Sequence, residues 1–496
     1  MAQQMCRTEE IMRRYYGFAD LLSTRAKESP DAPALLYEDH GSICRVSCLQ
    51  LLERVSVLSR LIRISGKQCV GILCDGSPQC VITVFASVLA GAQTVLLDES
   101  ASEELLAQQI CASDVDVLWG DEDLAQDLKV ACLNSIIPDL EMDSPNILIP
   151  YPEVRDGQEP VNDDPEAALK AGCSVSGDIL FFTSGTTSRS KAVVLTDRSL
   201  TASAFNGSSI LPLSSKDRLL CILPLNHVFG FVCGLLWGLA CGAPVALGRG
   251  PRHYSDDAKF FSPTVLSAVP SLLLFLLQHG CLNPELRTVL VGAGSCPPSI
   301  LELAGRSGLH VCFGYGMTET SSGIALSISG DPYALQICPL NEVRIAPDGE
   351  ILVRAGDCMM KGYYKQPEMT QTVLENGTLH TGDLGQIDAD GRLHITGRKK
   401  EMLVFPDGTK LFLPEYEAAI AAVIGDKDFA VIERDLSPVM VIHDDPSNRA
   451  FLSAQLKSLM QQYPRGQQLR DMIFLSKPLP RTATGKVRRW ELSQIL

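Results

Sequence analysis

The sequence predicts an α/β protein in two parts. A large N-terminal domain should hold parallel-rich sheets with helices, plus a small β subdomain. A small α+β C-terminal domain should follow. Three observations predict this. Strand-like and helix-like runs alternate over 17–100, the βαβ rhythm of a largely parallel sheet. After about residue 340 the runs become short and are separated by Asp348-Gly349, Asp390-Gly391 and Asp407-Gly408, the mark of hairpin turns. The chain carries 17 cysteines but none beyond Cys358, a shift in composition that supports a boundary near Arg398. The expected domains are 1–398 and 399–496.

The elements follow in order. The run 70–74 reads as a strand, 78–91 as a helix and 94–97 as the next strand. Residues 140–177 are rich in Pro, Asp, Glu and Gly and read as an irregular connection. The stretch 231–248 is uncharged and long enough for a membrane span. Gly234, Gly238, Gly242 and Pro244 interrupt it, so a buried helix followed by a strand is expected instead. Further strands are expected over 245–247, 265–269, 288–291 and 310–313. The Asp-Gly pairs are assigned to turn geometry alone. The C-terminal module should hold a helix over 414–423, a strand over 429–432 and a helix over 448–463.

Composition narrows the function. Apolar residues make up 46% and charged residues 20%, ordinary for a globular protein with a large core. The formal net charge of -15 argues against a nucleic-acid partner. Basic residues cluster only late, at Arg481, Lys486, Arg488 and Arg489. The cysteines are odd in number, never spaced C-x-x-C, and without zinc-type Cys/His spacing. With no signal peptide at Met1-Ala2-Gln3-Gln4, reduced thiols in a cytoplasm and no transmembrane segment are the expectation.

One loop points to chemistry. Phe181-Phe182-Thr183-Ser184-Gly185-Thr186-Thr187-Ser188-Arg189-Ser190-Lys191 leads from one apolar run into another, Ala192-Val193-Val194-Leu195. It offers backbone N–H groups, short hydroxyls and a lysine to a polyphosphate. A P-loop NTPase needs strand–loop–helix and G-x-x-x-x-G-K-[ST], and neither is present. The same composition also suits an ordinary linker.

Further motifs in order decide between these readings. Pro224-Leu225-Asn226-His227-Val228-Phe229-Gly230 comes next, then Val291-Gly292-Ala293-Gly294-Ser295 and Gly314-Tyr315-Gly316-Met317-Thr318-Glu319. His380-Thr381-Gly382-Asp383, Gly397-Arg398-Lys399-Lys400-Glu401 and Leu479-Pro480-Arg481-Thr482-Ala483-Thr484-Gly485-Lys486-Val487 complete the series. Over essentially its full length the chain resembles the AMP-forming adenylating enzymes. These are the superfamily of acyl-CoA synthetases, peptide-synthetase adenylation domains and firefly luciferase.

The resemblance implies roles residue by residue. Thr183, Ser184, Gly185, Thr186, Thr187 and Lys191 would close over the β- and γ-phosphates of ATP. Ser188, Ser190 and Ala192 stand where the family usually has Gly, Pro and Gly, which restricts the closed loop. His227 would lie beside the substrate carboxylate. Gly292, Ala293 and Gly294 would let adenine and the acyl chain approach the backbone. In the run Gly314, Tyr315, Gly316, Met317, Thr318, the aromatic would stack on adenine and the threonine reach the α-phosphate. Glu319 would hold Mg²⁺, a hard cation that takes a carboxylate plus substrate phosphates. Asp383 would clamp the ribose and Arg398 contact ribose or phosphate. Lys400 would be the hinge and Lys486 the catalytic lysine.

The implied reaction has two halves. A carboxylate attacks the α-phosphate of Mg·ATP, giving acyl-AMP and pyrophosphate. A swing about Lys400 then removes Lys486 and admits a thiol. Thr186, His227, Glu319 and Lys486 are the candidate catalytic groups. Amino-acid-activating relatives place an Asp just after the His227 motif, and Phe231-Val232-Cys233-Gly234-Leu235-Leu236-Trp237 contains none. The acid should therefore lack an α-amine. The apolar residues after His227, and the run 404–410, point to a fatty acid with coenzyme A as acceptor. Loading of an acyl-carrier protein and a non-catalytic nucleotide-binding protein remain alternatives.

Overall fold

The computed structural model describes residues 13–120, 149–150, 176–183, 191–294, 298–327, 333–404, 410–434, 437–481, 487–489 and 491–492. The βαβ reading at the start holds. Strands Cys69–Cys74 and Gln93–Asp98 pair in parallel around helix Pro78–Leu89. Ser77 caps that helix through Cys80 N–H, and Pro78 occupies its first turn, where no amide proton is needed. Asp178–Thr183 adds in parallel to Gln93–Asp98. Lys191–Thr196 and Gly362–Tyr363 then close a 7-stranded sheet on its antiparallel edge.

A second, 9-stranded sheet runs parallel through its middle. Strands Val245–Leu247, Val265–Ala268, Thr288–Val291 and His310–Met317 lie where strands were expected, and Leu219–Cys221 is one the sequence reading did not name. The last is longer than expected and carries the Gly314–Met317 motif. One apolar core joins both sheets. Phe18, Phe85, Phe181 and Phe231 meet there with ring centroids 4.6 to 6.4 Å apart.

The uncharged stretch is helix then strand, as expected. It starts as a π-helix, Gly230–Leu236, and continues as the α-helix Trp237–Cys241. Gly242 ends it at φ 74, a left-handed turn that favours glycine. No helix among the described residues is long and apolar enough to cross a membrane.

A small β unit follows. Glu342–Ile345, Glu350–Arg354, Thr378–Ile387, Leu374–Glu375 and Leu393–Arg398 form a 5-stranded sheet. Two of the expected hairpins are present, at Gly349 (φ 92) and Gly391 (φ 76). Asp407-Gly408 lies outside the described residues, although its flanking strands Met402–Val404 and Lys410–Phe412 do pair antiparallel. Most of 140–177 also lies outside them.

The C-terminal part is α+β. Helices Leu413–Ile424 and Arg449–Met460 pack on a 3-stranded sheet, Phe429–Arg434, Ser437–His443 and Asp471–Leu475. One face of that sheet has a core of its own, drawn from Leu403 to Met472. The late arginines are committed within this unit: Arg481 pairs with Asp428, Arg488 with Glu491, and Arg489 with Glu417. Internal ion pairing accounts for these three arginines.

Candidate active site

The parallel strands end together. Asp98 and Thr183 stand at the carboxyl ends of neighbouring strands in one sheet, and Gly292 follows the carboxyl end of Thr288–Val291 in the other. In open α/β sheets, ligands bind beyond the carboxyl ends of the strands. The expected strand–loop–strand is present. Thr183 opposes Lys191 across the hairpin, and the Thr183 hydroxyl lies 3.4 Å from the Lys191 carbonyl. The loop between them, with Ser184, Gly185, Thr186, Thr187, Ser188 and Ser190, lies outside the described residues.

His227 opens the turn before the π-helix, its carbonyl accepting from Phe231 N–H at 2.9 Å. The residue is exposed, yet its ring is partly desolvated by the protein around it. That desolvation lowers its pKa from 6.5, while Asp98 pulls the other way. Two residues on, Phe229 lies against Gly292, where an added Cβ would come within 2.8 Å of the ring. The next residue, Ala293, sits at φ 63, in left-handed space. Two motifs read separately are thus one contact, and the glycine makes room for it. Gly294 follows in the same turn.

Gly316 is the tightest point. An added Cβ would lie 1.5 Å from the Ser322 carbonyl oxygen, where the strand slips register against Ser322–Leu326. This close return turns Thr318 and Glu319 into a single 3₁₀ turn, Thr318–Thr320. Tyr315 is buried at 8% exposure, and its hydroxyl donates to Asp383 Oδ2 at 2.8 Å. Asp383, itself 4% exposed, also takes Arg398 Nε on Oδ1 at 3.1 Å. Burial, reinforced by the Asp383 charge, raises the Tyr315 pKa well above 10.0, so the phenol stays a donor.

Tyr363 went unnoticed in the sequence. Its hydroxyl donates to Glu319 Oε1 at 2.7 Å, and Lys191 Nζ lies 4.8 Å from its ring centroid. Burial first, then Glu319, raises its pKa, which again keeps the proton on oxygen. One tyrosine therefore joins the end of the hydroxyl-rich hairpin to the carboxylate of the Gly-Tyr-Gly motif. The only available signal was an aromatic pair, Tyr363-Tyr364, beside a glycine.

Lys400 lies in a 3₁₀ turn, Lys399–Glu401, directly after Arg398. Lys486 lies outside the described residues. On either side of the segment that contains it, Arg481 bridges Val487 antiparallel, and Arg488 N–H donates to the Pro480 carbonyl at 2.8 Å. Two readings need correction. Asp348 does more than turn, since its carboxylate holds Lys399 Nζ at 2.7 Å. The apolar residues after His227 are no sign of an aliphatic substrate. Phe231, Val232, Leu235 and Leu236 are buried in the core joining the two sheets, which accounts for their character.

The description "AMP-binding enzyme" is that of the protein family whose model matches residues 22–364. The chain belongs to this family. This AMP-binding enzyme is 27% identical to the oxalate–CoA ligase of Arabidopsis thaliana, over 96% of this chain and 97% of that protein. It is 28% identical to the 2-succinylbenzoate–CoA ligase of Bacillus velezensis, with the same coverage of 96% and 97%. Among solved structures, the O-succinylbenzoate coenzyme A synthetase of Bacillus subtilis in complex with AMP superposes with a TM-score of 0.73 at 24% identity. That match covers 95% of this chain and 97% of the other. ATP-bound MatB from Rhodopseudomonas palustris gives 0.75 at 22% identity, over 96% and 98%. These likenesses establish the architecture of a large α/β domain with a small C-terminal one. Neither curated relative is named for a fatty acid or a carrier protein.

Proposed function

We propose that this AMP-binding enzyme is an acid–CoA ligase that forms an acyl-adenylate from ATP and passes the acyl group to coenzyme A. The observation that carries this is the meeting of Lys191, Tyr363 and Glu319. It sets a phosphate-loop cation and a hard oxygen donor on either side of one aromatic residue. The relatives named above are CoA ligases and span nearly the whole chain, which supports coenzyme A over a carrier protein.

The residues fit the substrate. Glu319 presents one carboxylate with Oε1 already engaged, a donor suited to Mg²⁺ when substrate phosphates supply further oxygens. Bound there, Mg²⁺ would neutralise phosphate charge. Asp383, fixed by Tyr315 and Arg398, can accept from the ribose hydroxyls. Lys191, and Lys486 from the tail, supply positive charge where an anionic carboxylate meets an anionic α-phosphate. No general base is required, since the attacking carboxylate is already ionised at neutral pH. His227, largely uncharged at neutral pH, can border that carboxylate without pairing away its charge. The boundary at 398/399 and a swivel at Lys400 would exchange Lys486 for the thiol between half-reactions.

The acid is one without an α-amine. No Asp follows the His227 motif to pair with an ammonium, and the apolar run there is core. The fatty-acid reading loses that support. The described cysteines are free thiols, in keeping with a reduced cytoplasmic setting. Pyrophosphate release tests the proposal, measured with ATP and Mg²⁺ on oxalate, 2-succinylbenzoate, benzoate and fatty acids, with and without CoA. A small dicarboxylic or aryl acid should release pyrophosphate, and CoA should raise its turnover. Turnover on no acid would overturn the ligase reading. Stimulation only by a phosphopantetheinyl carrier would move the acceptor to the carrier protein.

A further inference from the structure

Glu350 opens the strand Glu350–Arg354 and is only 6% exposed. A buried carboxylate is costly unless it is paired and hydrogen-bonded. Here three donors meet it. Gly382 N–H reaches Oε1 at 3.0 Å, His380 Nδ1 reaches Oε2 at 3.3 Å, and Lys399 Nζ reaches Oε2 at 3.1 Å. Burial alone would push its pKa up, but Lys399, Gly382 N–H and His380 together hold it below 4.5.

The placement of two of these donors carries the inference. Asp383 and Arg398 are register partners on adjacent strands, and their side chains pair. Gly382 immediately precedes Asp383, and Lys399 immediately follows Arg398. Glu350 therefore holds the Gly382 backbone on one side of that pair and the Lys399 side chain on the other. Gly382 takes φ 71, a left-handed conformation that presents its N–H to the carboxylate. Lys399 is pinned twice, on Glu350 and on Asp348.

We propose that Glu350 is a positioning residue that aligns the Asp383 clamp and, through Lys399, anchors the near end of the linker. The first residue free to turn is then Lys400. Deleting the Glu350 charge should disturb clamp and linker together. Deleting the Lys399 cation should disturb the linker alone. This rests on the reading that Asp383 takes the ribose and that the chain swivels at Lys400.

The test uses the full chain as wild type, Glu350→Gln, Lys399→Met and the double variant. AMP affinity is measured by calorimetry, and amide exchange is followed in peptides covering 378–386 and 396–404 without ligand. Glu350→Gln should weaken AMP binding about tenfold, the scale of a hydrogen bond to a charged group, and speed exchange in both peptides. Lys399→Met should leave AMP affinity within about twofold and speed exchange about fivefold in 396–404 only. The double variant should exchange no faster there than Glu350→Gln. Wild-type exchange of 396–404 in Lys399→Met would overturn the anchor, and wild-type AMP affinity in Glu350→Gln would overturn the clamp role. If Glu350→Gln fails to fold, Lys399→Met still decides the anchor, since the Lys399 side chain is 45% exposed and not part of the core, and Glu350→Asp, expected to weaken AMP binding because its shorter carboxylate misses Gly382 N–H, decides the clamp role in its place. If wild type binds no AMP, the ribose reading falls, while the ligand-free exchange still decides the anchor.

Discussion

Tyr363 places one hydroxyl on Glu319 and one ring under Lys191. Tyr363→Phe removes only the hydroxyl. Glu319 would then lose the donor that fixes Oε1 and with it a set orientation toward the cation. A hydrogen bond to a charged group contributes about 1.5–3 kcal/mol. The Mg²⁺ concentration for half-maximal pyrophosphate release should rise about tenfold, with the folded state little changed because water can replace the lost donor at a half-buried carboxylate. An unchanged Mg²⁺ midpoint would refute the role. His227 gives a pH signature. The folded ring resists protonation, whereas the unfolded imidazole takes a proton near 6.5. The unfolded state therefore binds more protons as pH falls through that value, and stability drops. Between about pH 7.5 and about pH 5, wild type should lose more thermal stability than His227→Gln. Superimposable profiles would show that burial of the ring does not matter. Tyr315, Glu319, Asp383 and Arg398 were legible in the sequence because each sits inside a short, recognisable run. Tyr363 and Glu350 were not, because their partners lie elsewhere: 44 positions separate Tyr363 from Glu319, and 32 separate Glu350 from Gly382. Only pairing of distant strands creates those contacts.

The strand His310–Met317 shows why position within an element matters more than residue type. Gly314 and Gly316 both lie on it, two apart, and both belong to one motif. A Cβ at Gly314 would meet Leu290 Cδ1 at 3.5 Å, an ordinary contact. A Cβ at Gly316 would strike the Ser322 carbonyl oxygen at 1.5 Å, which only a shift of backbone can relieve. Gly316→Ala should cost about 2–3 kcal/mol of stability, the scale of overpacking in a close-packed region. Gly314→Ala should stay within about 1 kcal/mol of wild type in the same denaturation experiment. Equal losses would mean that the return strand simply moves aside. Because Tyr315 lies between the two, Gly316→Ala should also weaken AMP binding. The sequence announced a strand over 310–313 by its apolar pattern. Its continuation through Met317 was hidden, because glycines depress strand propensity and the register slip that accommodates them leaves no local mark. The uncharged stretch after His227 behaved similarly. Its helical nature was legible, whereas its π form left no local mark and its place in the core shows only in the packing of Phe231 against Phe18, Phe85 and Phe181.

At the scale of the whole molecule, the proposed site would draw its charges from both the large N-terminal part and the tail. Lys191 and Glu319 meet at Tyr363, and Asp383 pairs with Arg398 in the small β unit. Lys486 lies between Arg481, which pairs with Asp428, and Val487, which Arg481 bridges. Asp428 adjoins the small C-terminal sheet, whose helix-covered face has its own core. On the proposed mechanism, Lys486 is brought to the α-phosphate for one half-reaction and withdrawn for the other. It is then needed only when charge builds on that phosphate. Lys486→Ala should slow pyrophosphate release by roughly 10²–10³-fold, about the effect of one preorganised contact to developing charge. Thioester formation from supplied acyl-adenylate and CoA should survive, because that step breaks the acyl–phosphate bond after pyrophosphate has left. Measuring both halves on the same variant separates the alternatives. Equal loss in both would mean that Lys486 supports the fold or the nucleotide throughout, and that the tail does not alternate between two positions.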